Sequence, residues 1–216
     1  MKVNILGLGL LLMWSCVTRG QNESEKSYPI NDSSLEVAYF ASGCFWCVEA
    51  IFESVQGVEE AISGYSGGTE KNPTYREVSY GRTTHAEAVA VYYHPDEVSF
   101  SELLTVFFVS HDPTTLNRQG PDRGTQYRSI AFYQNEVERQ LIEAYIDALN
   151  EASVYKNPIV TEVKAFSVFY EAEGYHQDYE KNNPNDPYIR NVSIPRLNRF
   201  KEALPQLLKP EATNEH

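Results

Sequence analysis

An apolar run, Val37 to Ala41, leads almost directly into Gly43-Cys44-Phe45-Trp46-Cys47. The run is typical of a β-strand and the segment after the glycine is typical of a helix, so both thiols are expected at a helix start. A thiol in that position is more acidic than a free one, and the thiolate is the reactive form. Because the only other cysteine is Cys16, redox chemistry of the folded part depends on Cys44 and Cys47. The motif favours a redox enzyme.

Composition narrows the range of partners. The chain has 216 residues, 42% of them hydrophobic, which suits one domain with appendages and a packed core. Its 18 basic and 30 acidic residues give a formal net charge of −12. No block of like charge stands out, so the acidity indicates a solvated surface and argues against binding to nucleic-acid phosphates.

The N-terminus is a separate segment. Lys2 precedes an apolar stretch, residues 3–14, that is too short for a comfortable membrane span. This pattern resembles a bacterial lipoprotein signal, with residues 1–15 removed and Cys16 carrying the lipid. An ordinary signal peptide and an uncleaved anchor remain alternatives. Residues 16–34 are polar and predict a flexible tether, and the expected location is extracytoplasmic, at a membrane facing the periplasm or cell surface.

Strand and helix patterns alternate along the rest of the chain. Strands are predicted at residues 36–41, 57–65, 86–93, 129–133 and 160–170, and helices at 44–54, 99–110, 135–152 and from 193 onward. Ser99 with Glu102 predicts a capping box, and Ser193 is the expected cap of the last helix, with Pro195 in its first turn. The pattern predicts an α/β fold, an α+β two-layer sandwich with a ferredoxin-like mixed sheet covered by helices. One domain is expected over residues 35–210, followed by a disordered tail at 211–216.

Two thiols separated by two residues have three common meanings. A zinc site needs about four ligands, yet there is no second cysteine pair and the five histidines show no ligand spacing, so no metal is predicted. A thioredoxin-like dithiol usually has small residues or proline between its cysteines, unlike Phe45-Trp46. In the third reading Cys44 is a nucleophile and Cys47, on the same side of the helix, its resolving thiol. Taken alone, the two aromatic residues are better explained as core packing.

Four further motifs extend the pattern. They are NPTYREV at 72–78, HAEAV at 85–89, a QG-D-GTQYRS run at 119–129 and GYHQDY at 174–179. Together with GCFWC, and in this order, they make residues 36 to about 201 resemble the peptide methionine sulfoxide reductase A family. The resemblance covers roughly three quarters of the chain. It implies an α/β enzyme that reduces the S epimer of methionine sulfoxide, with a general thiol–disulfide oxidoreductase as the alternative function.

The resemblance also implies roles for three reacting groups. Cys44 matches the nucleophile that attacks the sulfoxide sulfur and becomes a sulfenic acid. Glu87 matches the acid, whose pKa burial must raise if it is to donate a proton near neutral pH. Cys47 is then expected to close a disulfide on Cys44. The Cβ atoms of residues three apart on a helix are separated by ~5–6 Å, which is longer than a relaxed disulfide requires, so the first turn must loosen for the bridge to form.

Five residues match the substrate pocket of the family. Tyr75 and Tyr127 match hydroxyls that hold the sulfoxide oxygen, and Asp122 matches a residue that orders this polar site. Phe45 and Trp46 match a wall that receives the S-methyl group. A wall on one side and donors on the other would select one epimer.

The resemblance implies no bound cofactor, and an external thioredoxin-like dithiol as reductant. The expected partners are free methionine sulfoxide and proteins that contain it. The enzyme itself is expected to be a monomer. Three departures from the family pattern stand out. Residues 201–216 contain no cysteine, Thr84 replaces a usual glycine, and Pro121 replaces a usual asparagine. The last two concern the shape of the oxygen pocket.

Overall fold

The computed structural model describes residues 32–213, in which strands and helices alternate. The strands are β1 (Glu36–Ser42), β2 (Val58–Ser66), β3 (Ala86–Tyr93), β4 (Arg118–Gln119), β5 (Asp122–Arg123), β6 (Ser129–Tyr133), β7 (Glu162–Ala165) and β8 (Phe169–Glu171). The α-helices are α1 (Phe45–Glu53), α2 (Tyr75–Ser79), α3 (Phe100–Val109), α4 (Glu136–Glu151), α5 (Tyr179–Asn182) and α6 (Ile194–Ala203). Within this part of the chain, no helix has the length and apolar character needed to cross a bilayer.

Six strands form one sheet in the order β7-β6-β1-β3-β2-β8, and β4 pairs with β5 separately. Neighbours are antiparallel except β6 and β7. The central strands β6-β1-β3-β2, with α1 following β1 and α3 following β3, have the β-α-β-β-α-β order of a ferredoxin-like fold. Buried side chains of α1 and α3 join those of the central strands in one apolar core. The predicted α/β fold with a mixed, helix-covered sheet is confirmed.

The junction between β1 and α1 places the two thiols. Gly43 connects the strand to the helix with φ +95°, a conformation that side-chain-bearing residues rarely adopt. A Cβ at this position would lie 2.7 Å from Cβ of Gln119, so the turn also has no room for a side chain. Cys44 is the N-cap of α1, and Cys47 lies in its first turn. The predicted start of this helix is therefore confirmed.

The local patterns predicted the central elements well. β3 and β6 have the expected bounds, and α4 begins and ends one residue inside the expected range. α3 begins after Ser99, whose side chain accepts a hydrogen bond from the backbone N–H of Glu102. The side chain of Glu102 in turn accepts from the backbone N–H of Ser99, which completes the predicted capping box. The two strands have a marked apolar pattern, and each of the two helices begins at a residue whose side chain caps it, so little depends on the rest of the fold.

The single strand predicted at residues 160–170 is wrong. The segment forms two strands, β7 and β8, on opposite edges of the six-stranded sheet. Residues 166–168 join them, and from Ala165 to Phe169 an extended chain reaches about 14 Å. A flat sheet of six strands would separate its edges by about 24 Å. The sheet is therefore curled, and Phe166 stacks on Tyr39 of β1 with ring centroids 3.7 Å apart.

Two predictions near the C-terminus also need correction. Ser193 precedes α6, but it belongs to a π-helical turn, Ile189–Ser193, and its side chain makes no capping hydrogen bond. Its hydroxyl instead donates to the carboxylate of Glu180. Pro195 lies in the first turn as expected. The sequence predicts disorder from residue 211, yet Glu211–Thr213 form a 3-10 helix in which Ala212 is buried.

Candidate active site

The start of α1 faces a buried acid on the central strand β3. Glu87 is 2% exposed, because β3 has strands on both sides and helices over it. The backbone N–H of Phe45 donates to Oε2 of Glu87 over 3.1 Å. Burial raises the pKa of Glu87 to about 8, although the Phe45 hydrogen bond opposes that shift. At neutral pH this carboxyl group therefore holds a proton that it can donate.

The two thiols are free, buried and unequal. Cys44 is 7% exposed and Cys47 is 1% exposed. Burial raises the pKa of Cys44 well above its usual value, whereas the hydrogen bond from Cys44 lowers the pKa of Cys47 to about 6. The charge of Arg196 lowers it further. The sequence predicts that a thiol at the helix start is more acidic than a free one; the pKa of Cys47 is lowered in this way, whereas burial raises that of Cys44.

Aromatic side chains form one wall of the site. Trp46 is half-buried, stacks on Tyr179 with centroids 3.8 Å apart, and donates from Nε1 to Nδ1 of His176 over 3.1 Å. Phe45 is fully buried behind it, 5.0 Å from the ring of His176 and 5.9 Å from that of Tyr65. Trp46 therefore presents the open part of the wall, and Phe45 supports it from the core.

The two predicted hydroxyls lie near the acid and the nucleophile. Burial raises the pKa values of Tyr75 and Tyr127, and the charges of Glu87 and Cys44 raise both further. Tyr75 is held by its backbone N–H, which donates to Oε1 of Glu173 over 3.0 Å. Both phenols thus stay protonated and available as hydrogen-bond donors.

Asp122 is bound to a residue that the sequence analysis did not identify. The hydroxyl of Tyr188 donates to Oδ2 of Asp122 over 2.6 Å and lies 3.8 Å from Sγ of Cys47. Burial raises the pKa of Asp122, and the Tyr188 hydrogen bond opposes that shift. Through Tyr188, Asp122 is thus connected to the thiol pair. The eight site residues that the sequence predicts within the folded domain therefore lie around one region: Cys44, Phe45, Trp46, Cys47, Tyr75, Glu87, Asp122 and Tyr127. Cys16 lies outside the described residues.

The structure adds supporting residues to this set. Glu173 binds the Tyr65 hydroxyl over 2.8 Å besides the Tyr75 backbone, and His176 holds Trp46. The GYHQDY motif pointed toward His176, but nothing local distinguished Glu173 or Tyr188. Such residues become recognisable only when distant segments of the chain meet.

Two of the three departures from the family pattern, Thr84 and Pro121, lie in segments that lead into the site. The side chain of Thr84 points to the loop after β2, where its hydroxyl donates to Oε2 of Glu70 over 2.8 Å. Pro121 lies in the turn between β4 and β5, and Asp122, next in the chain, pairs with Gln119.

One acidic cluster could in principle hold a cation. Within residues 32–213, Glu49, Glu53 and Asp178 are the only such group, with ligand atoms within 4.8 Å of one another. Both oxygens of Glu49 already accept hydrogen bonds, from the Ser63 hydroxyl and from the backbone N–H of Asp178. The cluster ties α1 to the segment carrying His176, and nothing further indicates a metal ligand set.

A ferredoxin-like sheet that presents two thiols, a protonated buried carboxyl and phenol donors in one site defines a thiol-based redox enzyme. The family model described as peptide methionine sulfoxide reductase matches residues 36–207. A relative from Natronomonas pharaonis, peptide methionine sulfoxide reductase MsrA, is 52% identical over 166 residues, which are 77% of this chain and 93% of the relative. This chain belongs to the peptide methionine sulfoxide reductase family.

Solved structures agree with this assignment. Methionine sulfoxide reductase A of Corynebacterium diphtheriae matches with TM-score 0.64 and 37% identity, covering 71% of this chain and 77% of the other. Mxr1 from Saccharomyces cerevisiae in reduced form matches with TM-score 0.67 and 33% identity, covering 72% and 89%. Mxr1 has also been solved in complex with Trx2.

Proposed function

We propose that this chain reduces the S epimer of methionine sulfoxide, free or in proteins, to methionine. One observation carries the proposal: Glu87, buried and protonated at neutral pH, faces the helix start where Cys44 lies. A sulfoxide sulfur is a poor electrophile until its oxygen is protonated. A thiol beside a proton donor is the pair that this chemistry requires.

The first step consumes one thiol. Cys44 passes its proton along the hydrogen bond to Cys47 and attacks the sulfoxide sulfur, while Glu87 protonates the oxygen. The oxygen ends on Cys44 as a sulfenic acid, and the substrate sulfur gains the electron pair that Cys44 loses and leaves as methionine. Tyr75 and Tyr127 donate hydrogen bonds to the oxygen as negative charge develops on it.

Epimer selection follows from the two sides of the site. Trp46, supported by Phe45, receives the S-methyl group, and a sulfur–aromatic contact adds about 0.3–1.5 kcal/mol. Glu87 and the phenols hold the oxygen on the other side. The R epimer cannot place its methyl group and its oxygen in these positions together.

Cys47 and an external reductant complete the cycle. Cys47 attacks the sulfenic acid, and the first turn of α1 loosens so that the disulfide can form. A thioredoxin-like dithiol reduces this disulfide, and the complex of the related Mxr1 with Trx2 supports this choice of reductant. The proposed cycle uses no prosthetic cofactor, and the enzyme acts as a monomer.

The test is turnover of purified S- and R-methionine sulfoxide with dithiothreitol and with thioredoxin. We expect activity on the S epimer only. Cys44→Ser should abolish it, whereas Cys47→Ser should release one methionine per enzyme and then stop cycling with thioredoxin. Equal rates on both epimers would exclude the proposal. Rapid reduction of protein disulfides without sulfoxide turnover would establish the alternative, a general thiol–disulfide oxidoreductase.

We further propose that residues 1–15 are a lipoprotein signal and that Cys16 carries a lipid, which places the enzyme outside the cytoplasm on a membrane. The apolar stretch ending at Cys16 and the polar segment after it support this proposal. Intact mass spectrometry of the protein extracted from membranes should show cleavage before Cys16 and an added diacylglyceryl group. An unmodified Cys16 in that fraction would refute it.

A further inference from the structure

Cys47 has to lose a proton at a place that bulk water does not reach. In the proposed first step the proton of Cys44 moves to Cys47, yet disulfide closure needs Cys47 as a thiolate. Its side chain is only 1% exposed. The hydrogen bond from Cys44 is the main cause of the lowered pKa of Cys47, and it is lost once Cys44 has become a sulfenic acid. Cys47 is then a buried thiol whose proton leaves through a protein group.

The hydroxyl of Tyr188 is such a group, and its other partner determines the direction of the hydrogen bond. The hydroxyl donates its single proton to Oδ2 of Asp122 over 2.6 Å, and its oxygen lies 3.8 Å from Sγ of Cys47. Because that proton is engaged with the carboxylate, the tyrosine oxygen accepts from the thiol. The three residues therefore form a chain of hydrogen bonds with one direction, from the S–H of Cys47 through Tyr188 to Asp122.

This chain of hydrogen bonds also leads towards solvent. Cys47 is enclosed, whereas Tyr188 and Asp122 are each partly exposed. A proton that reaches the carboxylate can therefore exchange with water. The hydrogen bond from Tyr188 and the charge of Arg196 both lower the pKa of Asp122 and oppose the effect of burial, which favours the carboxylate form that accepts a proton.

We propose that Tyr188 and Asp122 form a proton relay that activates Cys47 for disulfide closure. The proposal deepens the proposed function and rests on its disulfide step. Tyr188 contacts the reacting sulfur, and Asp122 is the final proton acceptor, a role in addition to ordering the polar site.

The relay moves two protons by one position each. Tyr188 takes the proton of Cys47 as it passes its own proton to Asp122, so the phenol stays neutral. The first turn of α1 then loosens, and the Cys47 thiolate attacks the sulfenic sulfur of Cys44. The S–S bond forms with an electron pair of Cys47, and the S–O bond breaks with its pair on oxygen. The departing hydroxide takes up a proton and leaves as water, while Asp122 returns its proton to solvent.

Ser193 offers a different route for the same proton. Its hydroxyl donates to the carboxylate of Glu180, and both residues act electrostatically on Cys47. In the described part of the chain, however, the hydroxyl that lies within hydrogen-bond distance of Sγ of Cys47 is that of Tyr188. The structure therefore favours the route through Tyr188, and Ser193→Ala tests the other.

The experiment follows closure in a full-length chain carrying Cys16→Ser, so that only the two thiols of the domain react. Reduced enzyme is mixed with S-methionine sulfoxide, and quenched samples are analysed for released methionine. Intact mass distinguishes the sulfenic acid from the disulfide, because they differ by one water. Closure should keep pace with methionine release in the parent enzyme, so that little sulfenic acid accumulates.

Two variants interrupt the relay in different ways. Tyr188→Phe removes the hydroxyl, whereas Asp122→Asn keeps an oxygen that accepts from Tyr188 but cannot take up its proton. In both, closure should slow by ~10²-fold relative to methionine release, the low end of the usual contribution of a positioned base, and the sulfenic acid should accumulate. A purely structural hydrogen bond predicts closure at the parent rate in Asp122→Asn, and that result would overturn the relay.

Tyr93→Phe is the matched control. It also removes a tyrosine hydroxyl that donates to a carboxylate, Oε2 of Glu36 over 2.8 Å, at the opposite end of β3 from Glu87. Closure in this variant should equal that of the parent. An equal slowing in Tyr93→Phe, or a slowing in Ser193→Ala alone, would refute the relay through Tyr188.

The double variant Tyr188→Phe/Asp122→Asn gives an independent check. Groups that act as one unit are strongly non-additive, so closure should be no slower than in the slower single variant. Multiplied effects would indicate two separate roles and would count against the relay. If Tyr188→Phe fails to fold, Asp122→Asn alone decides the question.

Hydrogen peroxide separates this proposal from the proposed function. One equivalent forms the sulfenic acid on Cys44 without any sulfoxide, and closure is then followed by intact mass in the same variants. Absent methionine release in the parent enzyme would refute the proposed function, while closure after peroxide still tests the relay. Closure at the parent rate after peroxide in both relay variants would refute the relay alone.

Discussion

At the scale of single residues, the site depends on environments that change ordinary side chains. Glu87 is an unremarkable glutamate in a strand sequence, but burial between neighbouring strands moves its pKa into the neutral range. Cys44 and Cys47 have the same side chain, but burial raises the pKa of Cys44, and the hydrogen bond from Cys44 lowers the pKa of Cys47. The chemistry therefore comes from burial and hydrogen bonding as much as from residue type.

Glu87→Gln keeps the shape and the Phe45 hydrogen bond of the acid but cannot transfer a proton. We expect the first turnover on S-methionine sulfoxide to slow by ~10²–10⁴-fold, the usual contribution of a positioned acid. Rapid-quench measurement of methionine release gives the rate, and thermal unfolding checks that the fold is kept. A rate within a factor of two of the parent would show that Glu87 is not the acid.

The same groups predict a bell-shaped pH profile for the first turnover. The rate should rise through pH about 6, as Cys47 becomes the thiolate that accepts the proton of Cys44. It should fall above pH about 8, as Glu87 loses the proton that it must donate. Glu87→Gln should lack the alkaline limb. An alkaline limb that persists in this variant would assign that ionisation to another group.

At the scale of elements, the local sequence predicts the junction of β1 with α1, but distant segments of the chain pack against it. Apolar residues and a glycine were enough to predict where the strand ends and the helix begins. Gln119, from the β4–β5 hairpin, leaves no space for a Cβ at Gly43, and Arg196 donates to the carbonyl oxygen of Ser42. The turn that holds Cys44 is thus clamped by two segments far away in sequence.

Gly43→Ala should destabilise the protein more than Gly120→Ala, because both glycines have positive φ but only Gly43 faces a close contact. The strained backbone costs about 1–2 kcal/mol at either position. The 2.7 Å approach to Gln119 should add about 1–3 kcal/mol at Gly43 alone. Urea denaturation measures both. Equal losses would show that Gln119 moves aside freely.

At the scale of the whole described domain, the curled sheet brings its two edge strands within reach of a three-residue link, residues 166–168. The sequence analysis read this segment as one strand, because its apolar residues give no sign that the chain leaves one edge and joins the other. Curling also explains how β8 lies beside β2 and delivers Glu173 and His176 to the site.

Phe166→Ala tests the importance of this closure. The variant removes the stacking of Phe166 on Tyr39, and we expect a loss of about 2 kcal/mol in unfolding free energy, below that of a fully buried phenylalanine. Val137→Ala, at an exposed position of α4, should cost less than about 0.5 kcal/mol. If the two variants lose equal stability, the stack does not support the closure of the sheet.

The sequence by itself determined the type and order of most elements, the thiol pair at a helix start and the acid on a strand, because periodicity and capping are local properties. The motifs also identified Tyr75, Asp122 and Tyr127 as site residues through their resemblance to a family. Only the tertiary structure decided that residues 160–170 divide between two edges, that the Tyr188 hydroxyl lies beside Cys47, and that burial raises the pKa of Cys44 while that of Cys47 is lowered. Those outcomes depend on burial and on contacts between distant segments, which no local pattern records.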